Sequence, residues 1–171
     1  KKIVLLAGDI GYKLFDNFKK KYPHRFYNCG VAEANMTTVA AGLALKGFTP
    51  ITYTIATFNV YKTVEQIKID ICYPNLGVII VGVGTGLNYA GLGVTHHAVE
   101  DIGILRSIPN LNIVFSLNID NKIQGESESS FQKRMFDLTQ PIFIALICRL
   151  LIPLQHLSRI LKLVTKLVYP T

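Results

Sequence analysis

The sequence has few of the features that commit a chain to a disulfide scaffold, a metal site or a membrane. Only three cysteines occur, Cys29, Cys72 and Cys148. Their odd number and wide spacing exclude a disulfide framework, and no Cys-x-x-Cys pair offers a zinc site. Each lies in or beside an apolar segment, so the expectation is reduced, buried thiols in a cytoplasmic protein. Charge is sparse as well: 17% of residues are charged while 50% are hydrophobic, which excludes disorder. Acidic side chains are scarcest, 11 against 18 Lys and Arg, for a formal net charge of +7. That excess suits nucleic acid, an anionic small ligand or an acidic partner. The basic residues are scattered, however, apart from Lys19, Lys20 and Lys21, and no Arg-rich strip interleaved with aromatics occurs. Nucleic acid is therefore not expected. The longest apolar run, "PIFIALICRLLIPL", is too short to span a bilayer and carries Arg149. No membrane segment, leader peptide, repeat or low-complexity stretch is found.

What is present is alternation. "KIVLLA", "RFYNC", "TPITYTI", "LGVIIVGV", "NLNIVFS" and "QPIFIALIC" read as short strands, most of them continuous apolar runs as in sheets buried on both faces. Helical patterns lie between them: one with Leu14, Phe15 and Phe18 at helical spacing, one from Glu33 to about Lys46, and one from about Asn59 to Cys72. A short helix runs through Ile102 and Leu105, and "GESESSFQKRMFDL" reads as a solvated helix. Such alternation predicts an α/β fold: a doubly wound, mainly parallel sheet of about six strands with helices on both faces. Residues 1–149 form that domain. Residues 150–171 are a basic amphipathic tail, with Leu157, Ile160, Leu161, Val164 and Leu167 on one stripe.

Ligands of such sheets bind beyond the carboxyl ends of the strands. The loops there hold Asp9, Cys29 to Glu33, Ala56 to Phe58, Gly82 to His97, and Ser116. Glu33, in "GVAEANM", opens a helix, where a negative charge is favoured by about 0.3–1 kcal/mol. It either serves the helix dipole or faces a cleft and exchanges a proton. Phe58 and Tyr61 share one helix face and are either core or ligand-lining. His96 and His97 are candidates for metal binding, proton transfer or anion binding, though adjacent side chains diverge. The loop glycines (Gly82, Gly84, Gly86, Gly91 and Gly93) do not form the dinucleotide fingerprint, which opens a helix after a first strand. They serve equally well to carry a long loop over the sheet.

"RFYNCGVAEANMTTVAAGLALKGFTPITYTIATF", followed by "GLGVTHHAVEDIGILRSIPNLNIVFS", resembles the pyrimidine-binding domain of transketolase-like, thiamine diphosphate-dependent enzymes. 1-Deoxyxylulose-5-phosphate synthases and the beta subunits of 2-oxo acid dehydrogenases share that domain. The resemblance implies the thiamine diphosphate-binding fold and transfer of a two-carbon ketol or acyl unit between sugar-like or 2-oxo acid substrates. It implies that Glu33 hydrogen-bonds the N1′ nitrogen of the cofactor's aminopyrimidine and relays a proton to it. Phe58 and Tyr61 then line the ring, Asp9 approaches the thiazolium, His96 contacts substrate, and Arg149 lies near a sugar-phosphate-binding arginine. Glu33 and His96 are the catalytic candidates.

The resemblance also has gaps. Where ordinary transketolases carry an aspartate four residues before the histidine, this sequence has Leu92, which cannot accept a substrate hydroxyl's hydrogen bond. The "GDG…N" segment that binds diphosphate and its Mg²⁺ or Ca²⁺ is not found. Cofactor and metal are therefore expected to be completed by a partner diphosphate-binding domain, in a dimer or larger oligomer, and this chain supplies no metal ligand. Two other readings stand beside this one: a non-catalytic interaction domain that keeps the fold, and a Rossmann-like nucleotide-binding module.

Overall fold

The computed structural model describes residues 2–116 and 142–146. Arg149, the serine- and glutamate-rich segment, Cys148 and the 150–171 tail lie outside the described residues.

Six strands form one sheet: β1 (Lys2–Ala7), β2 (Phe26–Asn28), β3 (Phe48–Ile55), β4 (Ile79–Val83), β5 (Asn112–Ser116) and β6 (Ile142–Leu146). Their spatial order is β2-β1-β3-β4-β6-β5, and every pairing is parallel. The chain runs outward from β1 to β2, then crosses back to β3, so the order reverses between β1 and β3. That reversal opens a crevice at the carboxyl ends of the strands. Pro50 sits inside β3, yet pairing with β4 begins only at Ile51, so the ring costs no ladder bond on that side.

The continuous apolar runs have the expected cause, because both sheet faces are covered. On one face Val4, Leu6, Val78 and Ile80 pack with Met36, Ala40 and Ala41 of α2 (Glu33–Leu45) and with Ile67, Ile71 and Leu105. On the other, Ile3, Leu5, Ile51, Tyr53, Val81 and Val83 pack with Phe15. Each fully buried Leu or Ile side chain contributes about 1.5–3 kcal/mol.

Two expected helices differ in extent. Helix α1 covers only Asp16–Lys21; Leu14 and Phe15 precede it. Phe15 is drawn into the core edge-on to Tyr53, with ring centroids 4.9 Å apart, and this anchors the turn instead of extending the helix. The helix expected from Asn59 begins earlier and breaks. Helix α3 (Ala56–Tyr61) follows β3 without a linker, and α4 (Val64–Gln66) continues into a π-helical turn, Ile67–Cys72. The break falls at Thr63, whose hydroxyl donates to the Asn59 carbonyl at 2.6 Å and so draws the chain back on itself. Helix α5 is Asp101–Leu105.

Candidate functional site

The four strands β1 to β4 deliver their following loops to one end of the sheet, and the candidate residues stand there. Helix α2 buries Glu33, Met36, Thr37, Ala40 and Ala41, a stripe of helical period. Glu33 thus occupies the first place on the core-facing stripe, where an apolar side chain is the usual occupant, and is only 3% exposed. Its helix lacks a side-chain N-cap, which leaves the dipole's positive end to favour the carboxylate. A buried charge also needs a direct partner. Lys62 supplies it: Nζ lies 3.1 Å from Glu33 Oε2.

Lys62 is the residue that sequence reasoning missed. It ends α3 and is 48% exposed, yet its ammonium reaches back over the Phe58 ring, 4.6 Å from the centroid. The signal was there: four residues separate Phe58 from Lys62, so both lie on one helix face. Inside the helix expected from about Asn59 to Cys72, a lysine reads as an ordinary solvated charge.

Phe58 continues the chain of contacts. Its ring meets the His96 imidazole edge-on at 5.2 Å, and His96 meets Tyr89 at 6.3 Å. His96 Nδ1 is 3.0 Å from Thr95 Oγ1. His97 diverges, with Nε2 placed 3.3 Å from the Ala90 carbonyl oxygen, so one histidine of the pair reaches Phe58 and the other closes its own loop. The loop is pinned at its base by a two-bond bridge: the Gly86 N–H donates to the Ala98 carbonyl and the Ala98 N–H to that of Gly86. Gly84 begins it with φ of +73°, and a Cβ there would strike the Tyr89 ring. The glycines carry and shape this loop.

Tyr61 shares α3 with Phe58 but points its hydroxyl elsewhere. It donates to Glu100 Oε2 at 2.6 Å and accepts from the Glu100 N–H at 3.2 Å. Burial and the Glu100 carboxylate push the phenol up to about 12, while the same bond holds Glu100 below the usual carboxylate range. Asp101, next in the chain, is buried, which pushes its carboxyl up; Oδ1 accepts from the Ile102 N–H at 2.6 Å.

Asp9 lies at the end of β1 with φ of +53°. Its backbone N–H donates to Asn28 Oδ1, and Asn28 Nδ2 donates to Asp9 Oδ1 at 2.9 Å. Asn28 also takes the Gly30 N–H at 3.0 Å, so the pair fixes the approach to Glu33. No hydrogen bond or ring contact among the described residues joins Asp9 to Glu33 itself. Nor, among the described residues, does any group of three His, Cys, Asp or Glu side chains stand together as a metal site.

The structure therefore brings Glu33, Phe58 and His96 into one contact chain through Lys62. It sets Asp9 at the crevice edge and turns the Tyr61 hydroxyl toward the loop. Such a site offers a desolvated proton acceptor beside an aromatic face.

Comparison with known proteins identifies the family. Residues 1–120 match the family described as transketolase, pyrimidine binding domain. An apulose-4-phosphate transketolase subunit of Phocaeicola vulgatus is 33% identical over 145 residues, 84% of this chain and 45% of that protein. The same-named subunit of Actinobacillus succinogenes is 41% identical over 96 residues, 56% of this chain and 31% of that protein. A solved structure described as a split-gene transketolase, inactive beta4 tetramer, superposes with a TM-score of 0.65 at 31% identity, over 85% of this chain and 45% of that one. The chain thus spans less than half the length of each of these relatives.

Proposed function

This chain belongs to the transketolase pyrimidine-binding domain family, and from that premise we propose that it supplies the pyrimidine-binding half of a thiamine diphosphate-dependent, transketolase-like transferase. The observation that carries the reading is Glu33: a carboxylate 3% exposed at the carboxyl end of the sheet, linked through the Lys62 ammonium to the Phe58 ring.

The residues present fit the ring end of the cofactor. A desolvated carboxylate with a single salt-bridge partner can accept a hydrogen bond from a ring N–H, and Phe58 offers a stacking surface. When bound, the cofactor would supply a thiazolium carbon as the nucleophile and the thiazolium ring as the electron sink. Glu33 holds and returns the proton at the aminopyrimidine N1′ nitrogen. Its fixed place on a rigid helix matters more than its acidity, since geometry decides such transfers first. His96, held between Phe58 and Tyr89, presents an imidazole for a substrate oxygen. Asp9 orients the crevice edge through Asn28. Tyr61 acts on the ring site from behind, by fixing the loop through Glu100.

The diphosphate end belongs to a partner subunit, which also holds the divalent Mg²⁺ or Ca²⁺. The relatives named as subunits, and the solved structure named as a split-gene product, support that division. The transferred unit is a two-carbon ketol. Leu92, exposed on the loop, gives the substrate an apolar neighbour in place of a hydroxyl acceptor. Arg149 is offered to a sugar phosphate from outside the described residues, and the assembled enzyme works in the cytoplasm.

Glu33→Gln tests the reading in the complex of this chain with its diphosphate-domain subunit. Loss of the proton relay costs about 10²–10⁴-fold in turnover, the usual worth of a positioned general acid–base. Turnover within a factor of two of the unmodified complex refutes the assignment.

A further inference from the structure

Glu33 and Phe58 already have a shared occupant. The Lys62 ammonium lies 3.1 Å from Glu33 Oε2 and 4.6 Å above the Phe58 ring centroid. These are the two surfaces, a carboxylate acceptor and an aromatic face, that an aminopyrimidine ring needs. We propose that Lys62 is a built-in placeholder for that ring: it holds the ring's contacts in the free chain and is displaced into solvent when the ring enters. The inference rests on the pyrimidine-site reading of Glu33.

Three observations favour a displaceable occupant over a permanent structural pair. First, the two ends of the pair differ. Glu33 is buried on the α2 stripe, whereas Lys62 is 48% exposed at the end of α3, with open solvent to swing into. Second, the pair is minimal. One carboxylate oxygen meets one ammonium, and among the described residues Lys62 makes no second side-chain hydrogen bond. A buried pair built for stability needs its remaining groups satisfied as well, or desolvation cancels the attraction. Third, the residue type fits. An ammonium on a flexible stem is a strongly hydrated point charge, released to water more readily than a guanidinium, whose fork would grip the carboxylate with two bonds. The aromatic face adds an attraction that the incoming ring replaces by stacking. In the free chain the ammonium keeps a buried charge from standing alone; on binding, one partner is exchanged for another.

Displacement makes an unusual prediction: ligand binding exposes Lys62. The test uses the full chain and thiamine, which carries the aminopyrimidine without the diphosphate. Amines are acetylated briefly with N-hydroxysuccinimidyl acetate, and Lys62 modification is read by mass spectrometry against the remote, exposed Lys46. Thiamine binding is followed in parallel by saturation-transfer NMR. The expected result is a several-fold rise in Lys62 acetylation with thiamine, and a similar rise in Glu33→Gln without it. Lys62→Met binds thiamine more tightly than the unmodified chain, and Lys62→Arg binds it more weakly. If binding depends on Glu33 but Lys62 labelling stays level or falls, or if Lys62→Met weakens binding, the placeholder is overturned and the pyrimidine site stands. If Glu33→Gln binds thiamine as well as the unmodified chain, the pyrimidine-site reading fails and this inference fails with it; if neither the unmodified chain nor Lys62→Met binds it, the placeholder is overturned.

Discussion

At the scale of single residues, the Tyr61–Glu100 pair has the most readable chemistry. Folding raises the Tyr61 phenol from 10.0 to about 12. A group with a raised folded value lends stability that is complete below its unfolded value and is lost as pH climbs through the folded one. Tyr61 therefore contributes fully below about pH 10 and loses its contribution toward pH 12. Glu100 runs the opposite way: its carboxyl is held down, so its contribution is present above the ordinary value of 4.5 and fades as pH falls beneath it. Tyr61→Phe removes the first contribution and weakens the second. Melting temperature measured from pH 4 to pH 11.5 should show the parent chain falling more steeply than the variant at each end. Parallel curves would mean that the bond contributes nothing net. Other tyrosines and lysines titrate in the alkaline window too, so the difference between the two proteins is the signal.

Cysteine reactivity gives a second prediction at this scale. Burial pushes the Cys72 thiol up to about 12 and raises that of Cys29 as well. A thiolate is the reactive form, so neither is activated at neutral pH. In the native chain at pH 8, iodoacetamide should leave Cys72 unmodified while denatured protein reacts fully. Rapid native labelling of Cys72 would contradict the packing around it, where it is buried with Ile67, Ile71 and Val78.

At the scale of elements, the loop from Gly84 to Glu100 is the piece whose shape the site depends on. Gly84 combines a φ of +73° with a Tyr89 ring packed where a Cβ would sit. Gly84→Ala must strain the backbone and move the ring, at a cost of about 1–3 kcal/mol. Tyr89 in turn flanks His96, and His96 flanks Phe58. The variant should melt lower, and its His96 ring resonances should shift in NMR. A lowered melting point with unshifted His96 resonances would show that Tyr89 does not set the histidine.

The same loop shows which parts of the structure were legible. Most of the six strands follow from short apolar runs, because a sheet covered on both faces asks for nothing subtler. Helix α2 is legible from its period, its small residues and its glycine stop. The start of α3 is not. Ile55 caps nothing, and no proline or glycine announces the turn. At the site, Glu33, Phe58 and His96 were legible as candidates from motif and position. The direction of the Tyr61 hydroxyl was not, since helical spacing fixes a face and not the tertiary partner that a side-chain tip finds. Lys62 was hidden for the related reason that sequence gives a lysine no destination.

At the scale of the whole molecule, the chain spans only 45% of a relative that it matches over 84% of its own length. On the proposed reading, its described residues supply the ring-binding end of a shared site. The apolar side chains left in the open are consistent with half a site. Val31, in the loop after β2, is 73% exposed; Leu92, Val94 and Val99, in the loop after β4, are all exposed, Val94 at 80%. Both loops rise from the carboxyl end of the sheet, beside Glu33 and His96, where the second half of the site must arrive. Exposed apolar residues around a site are expected where a partner completes it. Val94→Asp places a charge there without touching the core, so the isolated chain should keep its melting temperature. In sedimentation with the diphosphate-domain subunit the variant should fail to form the complex that the unmodified chain forms. Thiamine diphosphate with Mg²⁺ should then bind the mixture containing the unmodified chain far more tightly than the mixture containing the variant. Normal assembly by Val94→Asp would move the partner to another face of the sheet. Tight binding of thiamine diphosphate by this chain alone would mean that its own residues hold both ends of the cofactor.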